Sequence, residues 1–395
     1  MRGRSLHATL LAAVLAAAAS SAVYAANVSV DRLELLSHGS ADASGLYQVD
    51  SRLFFGLSLE GGDKFAGLLR LDFLSGQVEK DLGLLQDSLP PTATLSDAID
   101  RLNAAGLRLR TVAVSARRLF GQPLEATYFV GELDTFCSGD DFTTLFGAAP
   151  FATALRGPMV YPDGIGGDPN RYYDGIHAVY GTGARLGAGL ERAAAYLYLY
   201  QDSDLGQGRW SADLRGLLDA DKLKLELFAG ASYDPSSAFG YYRAGMLFHY
   251  APGAVGEFYA QVGAPRMDPA AGVGIDDFFF LFEPRVNFAP GSLAITVFYH
   301  PAYYRQKATG EEGALDLGMN LKFGDVSRTG SQGGLESLLA FRPVDAEPLS
   351  VDIAPYFSAI ASGLEWSFKL NLGVFPFPAD WYAVLEPFVG VKTSF

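Results

Sequence analysis

The chain of 395 residues carries 30 basic and 44 acidic residues, a net charge of −14, which argues against nucleic-acid binding through phosphate contacts. Its single cysteine, Cys137, rules out an intramolecular disulfide. It is 49% hydrophobic and 13% aromatic, with 28 Phe, 20 Tyr and 45 Gly, yet beyond the N-terminal segment no run reaches the roughly 18 apolar residues of a spanning helix.

The N-terminus has the composition of a secretory signal peptide. Arg2 and Arg4 supply the positive start, Leu10, Leu11, Val14 and Leu15 among alanines the apolar stretch, and Val23-Tyr24-Ala25 a small-residue cleavage site. Residues 1–25 are therefore expected to be removed, leaving 26–395 as one domain. A retained anchor helix is the alternative, and the shortness of the apolar stretch disfavours it. No cysteine follows the site, so a lipid anchor has no support.

From residue 26 onward the chain alternates apolar and polar residues with period two. In 222–233, Leu223, Leu225 and Leu227 alternate with Lys222, Lys224 and Glu226. In 314–324, Leu315, Leu317, Met319 and Leu321 alternate with Asp316, Gly318, Asn320 and Lys322. In 363–374, Leu364, Trp366, Phe368 and Leu370 alternate with Glu365, Ser367, Lys369 and Asn371. Successive side chains on a strand point to opposite faces, so each segment has one apolar and one polar face.

Strands are expected near 26–35, 46–60, 65–74, 107–117, 124–134, 175–187, 191–202, 208–218, 221–233, 238–250, 254–264, 276–288, 292–302, 313–324, 334–343, 348–360, 363–374 and 380–395. Many run for roughly 10 to 13 residues, well beyond the roughly 5 to 6 of globular strands and close to what a tilted strand needs to cross hydrocarbon. Lipid tolerates no unpaired backbone, so such strands must close on themselves. The expected fold is an all-β, antiparallel, up-and-down transmembrane barrel of about 16–18 strands, with 14–18 as the range. Alternate connections are short, with 325–333 the one long member of that set. The opposite set holds the long ones, 75–106 and 135–174. Ser96 can cap a helix over 97–104 within the first. The second is a candidate constriction loop.

The last strand ends on Phe395, and Val391 and Val389 share its face. This resembles the C-terminal strand by which bacterial outer-membrane β-barrels are recognised by the barrel-assembly machinery, with Thr393 and Pro387 departing from the pattern. The position of 135–174, between the fifth and sixth strands, is similar to that of the inward-folded loop of general diffusion porins. The resemblance implies a barrel of the porin type in the cell outer membrane, reached through the periplasm, with lipids, the assembly machinery and small solutes as partners. Self-association into a homo-oligomer is left open. Under this resemblance, acids of the loop (Asp140, Asp141, Asp163, Asp168, Asp174) with its Arg171, and wall arginines Arg185, Arg215 and Arg243, are the candidate constriction charges. Arg156, Arg52 and Arg70 belong to the same sets. A loop acid facing a wall arginine across a gap would set up a transverse field.

Other chemistry is weaker. Asp140-Asp141 could form a carboxylate pair for a metal or water, but solvated loop acids fit as well. The stretch 163–170 has the oxygens for calcium but not the spacing of a known calcium loop. His177, His249 and His300 face inward by alternation, too far apart in sequence to suggest a metal centre, and His38 falls in a loop. No nucleophile elbow or phosphate loop occurs, so catalytic residues, metal and cofactor are none, and Cys137 reads as an unpaired thiol near the pore. Tyr196, Tyr198 and Tyr200 share one face, pointing either to the lumen or to a lipid interface. The favoured function is passive diffusion of small hydrophilic solutes. The alternative is a substrate-specific or apolar-ligand transporter with a plugged lumen. A membrane enzyme, a structural protein or a soluble secreted all-β protein is less favoured.

Overall fold

The computed structural model describes residues 26–41, 47–61, 64–75, 107–154, 175–203, 209–233, 240–300, 314–341, 348–377 and 384–393. They form one antiparallel sheet of eighteen strands. The first six are β1 (Ala26–Ala41), β2 (Tyr47–Gly61), β3 (Phe65–Ser75), β4 (Leu107–Arg117), β5 (Leu124–Phe136) and β6 (His177–Gly189). The next six are β7 (Ala193–Asp202), β8 (Trp210–Ala220), β9 (Leu223–Tyr233), β10 (Tyr241–Tyr250), β11 (Gly256–Met267) and β12 (Phe279–Phe288). The last six are β13 (Gly291–His300), β14 (Ala314–Asp325), β15 (Ser331–Phe341), β16 (Leu349–Ala361), β17 (Leu364–Phe375) and β18 (Leu385–Thr393).

Each strand pairs with its neighbours in sequence, and β18 returns to pair with β1 through Lys392 opposite Glu34 and Val389 opposite Ser37. The ring is thereby closed. Pro387 lies one residue past the last β1–β18 pair, Phe388 with His38, and keeps its place opposite Leu370 of β17. Strand lengths run from 9 to 16 residues. All eighteen expected strands are present, so the count lies at the top of the expected range.

The short connections 118–123, 190–192, 221–222, 251–255, 289–290, 326–330 and 362–363 lie at one end of the barrel. The 325–333 connection is tighter than the sequence suggested. Asp325 caps a single turn of helix over 326–329, accepting hydrogen bonds from the backbone of Ser327 and Arg328, and β15 begins at Ser331. At the other end β1 runs on to Ala41, so His38 belongs to a strand rather than a loop. Its Ser-His-Gly-Ser surroundings look like a turn, but pairing of Gly39 with Val49 and Ala41 with Tyr47 in β2 extends the ladder through them. The helix expected over 97–104 lies outside the described residues.

Alternation holds around the wall. On β7, Tyr196, Tyr198 and Tyr200 are buried while Leu197 and Leu199 are exposed, which settles the tyrosine row as inward-facing. On β8, Asp213 and Arg215 are buried and Leu214 is exposed. On β17, Lys369 points inward and Trp366 and Phe368 outward. The outer surface is thus built of Leu, Phe, Trp, Val and Met, and the inner surface carries the charge. No described helix is long and apolar enough to cross a membrane.

Candidate functional site

The lumen is divided by a segment of chain that leaves the end of β5 and turns inward. Cys137 and Gly139 adopt left-handed backbone, φ 62° and φ 90°, and bend the chain off the wall. A short helix, α1 (Asp140–Phe146), follows. Asp140 and Asp141 in its first turn match the positive end of the helix dipole. Gly147 ends it in left-handed conformation, with its N–H on the Thr143 carbonyl at 3.0 Å. Sequence inspection treated this stretch as loop. A helix this short gains too little from propensity to show a pattern, and tertiary contacts hold it.

Those contacts are specific. Phe142 is fully buried and packs on Phe146 and Phe151, with centroids 5.8 and 5.5 Å away. Phe151 stacks on His249 of β10 at 4.3 Å and an angle of 11°, and meets Tyr259 of β11 edge-on. With Phe136, Tyr198 and Phe228 these rings form an aromatic core inside the barrel, against β5–β12.

Polar pins hold both ends of the segment. At the near end Cys137 N–H donates to Glu226 of β9 at 2.7 Å, and Gln261 of β11 donates to the Cys137 carbonyl. Arg215 of β8, 1% exposed, donates through Nε to Glu226 at 2.7 Å and through Nη1 pairs with Asp141 at 2.5 Å. At the far end Glu283 of β12 accepts from Thr153 Oγ1 (2.6 Å), from the Ala154 N–H (2.9 Å), from Thr296 Oγ1 (2.6 Å) and from Arg285 Nε (2.7 Å). Arg285 also donates to the Ala152 carbonyl. Burial and the neighbouring Glu226 carboxylate push the Cys137 thiol well above its ordinary range, so it stays a neutral thiol.

The candidate residues fall in several places. Asp141 and Arg215 are in direct contact rather than facing each other across a gap, while Asp140 is exposed. Arg185 pairs with Glu125 at 2.5 Å and Asp134 at 2.8 Å, and Arg243 with Asp213 at 2.6 Å, all within the wall. His177 Nε2 lies 3.1 Å from the Tyr200 hydroxyl and 3.4 Å from Asp213. His249 sits 3.4 Å from Glu257. No grouping of metal-ligating side chains occurs among the described residues. Asp163, Asp168, Asp174, Arg156, Arg171 and Phe395 lie outside the described residues, as do the side chains of Arg52 and His300. Arg70 is half-buried, Val389 exposed and Val391 half-buried.

Across from the pinned segment lies a cavity of about 440 Å³. Ala152, Thr153 and Ala154 form one side of it, and the wall of β14–β18 and β1 the other. Strand register sorts the inward side chains of that wall into bands. Asn320 lies beside Glu336, and Asn371 beside Glu386. Two residues along each strand, Lys322, Gly334, Tyr356, Lys369 and Phe388 are successive neighbours across five strands. The next band is Gln332, Ser358 and Ser367. The last is a ladder of Glu365, Lys392 and Glu34, with Lys392 and Glu365 3.2 Å apart. Residue alternation already placed Glu226, Asn320 and Lys369 on polar faces. Which of these polar residues would meet the segment 137–154, and which the cavity, was invisible without the path of the loop.

No family model matches this chain, and no curated protein matches it. Among solved structures, variants of the porin of Rh. blastica align over 93% of this chain and 100% of theirs, at 11% and 10% identity with TM-scores of 0.46 and 0.47. A loop-deleted form of OmpT, an outer membrane protein of Vibrio cholerae, covers 93% of this chain and 99% of its own at 11% identity and a TM-score of 0.39. These are similarities of strand arrangement, and the closed ring of eighteen paired strands rests on its own register.

Proposed function

We propose that this chain is a channel of the porin type in the bacterial outer membrane, through which small hydrophilic solutes diffuse passively. One observation carries the reading: a closed barrel turned apolar side outward, whose interior keeps a charged and polar cavity beside a pinned inward segment. Among the described residues, the exposed Leu, Phe, Trp, Val and Met side chains of the outer face make a surface far larger than the few hundred Å² a water-soluble monomer shows, and lipid is the solvent that suits it. Eighteen strands enclose more space than wall side chains fill, so an aqueous path is the physical expectation. The signal-peptide reading of 1–25 supplies the route of export, through the periplasm, and the C-terminal strand the handle for the assembly machinery.

The test is electrical. The mature chain, refolded in detergent and added to planar bilayers, is expected to give discrete, ohmic current steps in potassium chloride. A folded barrel with no conductance would overturn the proposal. The aromatic core and the anchors of 137–154 also support a second reading, a plugged lumen specific for one solute class. A silent barrel that conducts once 140–154 is replaced by a short glycine-serine linker would favour that reading.

A further inference from the structure

The cavity wall separates its positive and negative groups by register. We infer that it is a station for small zwitterionic solutes, of the size and chemistry of a free amino acid, with Glu336 taking the ammonium and Lys369 and Lys322 the carboxylate. This rests on the channel reading above and deepens it.

Three observations carry it. First, the formal charges that line the cavity balance, with Glu34, Glu336 and Glu365 against Lys322, Lys369 and Lys392. Glu365, Lys392 and Glu34 answer one another in the ladder that closes the barrel. Glu336, Lys369 and Lys322 line the cavity outside that ladder. Second, Glu336 is under-satisfied by the protein. Glu336 is 4% exposed, and one oxygen accepts from Asn320 Nδ2 at 2.8 Å while the other has no hydrogen-bond partner among the described residues. A buried carboxylate oxygen without a donor is costly, and a solute ammonium would supply one. Lys369 Nζ lies 5.0 Å from the centroid of the Phe388 ring and within the field of the Glu336 and Glu386 carboxylates, so the two signs share one neighbourhood. Third, the two signs stand in adjacent bands. Glu336 and Asn320 are one inward step from the band of Lys322 and Lys369, about 7 Å along a strand. A molecule with its charges a few ångström apart can reach both, and an ion of one sign meets an opposing charge of the wrong sign close by.

Tyr356 shapes the gap between the bands. Its ring crosses over Gly334, where a Cβ would come 2.6 Å from the hydroxyl, and its hydroxyl donates to Asn320 Oδ1 at 3.0 Å. Asn320 thereby turns its amide donor to Glu336, which fixes the carboxylate within the wall. The Ala152–Ala154 stretch forms the far side, close enough for a passing solute to touch both.

The test uses the full mature chain in proteoliposomes and follows the entry of labelled alanine, the uncharged polyol erythritol and the anion lactate. Alanine is expected to enter faster than either. The alanine-to-erythritol ratio is expected to fall about threefold to tenfold in each of Glu336→Gln, Lys369→Gln and Lys322→Gln, the scale of one charged contact in a wet site. In Glu336→Gln, lactate is expected to gain on alanine. Lys322 is the most accessible of the three, so its variant keeps the test decisive if the buried variants fail to fold. Equal entry of alanine and erythritol, faster entry of lactate, or ratios unmoved in the folded variants would overturn the inference while leaving the channel intact. No flux of any solute and no ionic current would overturn the channel reading, and this inference with it.

Discussion

Glu283 is the place to test whether the inward segment is held by side-chain chemistry. The substitution Glu283→Gln keeps the shape and removes the charge. In the native protein its two oxygens take donors from Thr153, Ala154, Thr296 and Arg285. An amide can accept only on its oxygen, so whichever way it turns, a donor loses its acceptor, and Arg285 loses its closest counter-charge, 2.5 Å away. Losing one hydrogen bond to a charged group costs about 1.5–3 kcal/mol, which is roughly 10- to 150-fold in the balance between the pinned and released far end. The near end, held by Arg215, Glu226 and Gln261, is untouched. Hydrogen exchange of the peptide covering 148–154 should therefore quicken by that factor, while 137–142 and the wall strands keep their protection. Single-channel records should gain excess noise as the segment fluctuates. Unchanged exchange at 148–154 in a folded Glu283→Gln barrel would refute the claim that this carboxylate holds the loop.

Two further outcomes follow from the same network. Arg215→Met would leave Glu226 buried without its counter-charge and release Asp141, at a cost of about 3–5 kcal/mol, the scale of breaking a buried pair. The barrel should unfold at a visibly lower temperature in heat-modifiable gel mobility, and Arg215→Met combined with Glu226→Gln should recover part of the loss, so an unchanged midpoint in the single variant would count against a buried pair. Cys137, fully buried and with its thiol pushed up, should resist maleimide in the folded barrel at neutral pH and react on unfolding. Because a raised thiol value means less thiolate at any given pH, labelling of the folded state should appear only far into the alkaline range, and rapid labelling near pH 7 would show the segment to be open.

The barrel was legible from residue pattern alone because a strand's faces follow parity. Leu315, Leu317 and Met319 against Asp316, Gly318 and Asn320 state which side faces out before any neighbour is known, and strand length states what solvent lies there. β4 falls where it was read, 107–117, and β15 begins three residues earlier, at Ser331. The same local rule failed for His38, since pairing with β2 continues through residues that look like a turn. It also missed α1, whose helical form depends on Phe142 finding a place among the barrel's inner rings.

Partners were beyond that rule. Asp141 and Arg215 are 74 positions apart in sequence, and whether they face one another across water or touch depends on the path the chain takes after Cys137. Likewise Lys369 was legible as inward, but its adjacency to Glu336 in neighbouring bands is a property of the β14–β17 register. Parity along one strand is a one-dimensional fact written in the residues. Pairing between charges distant in sequence is set by register and loop path, which the closed ring settles only once all eighteen strands are in place.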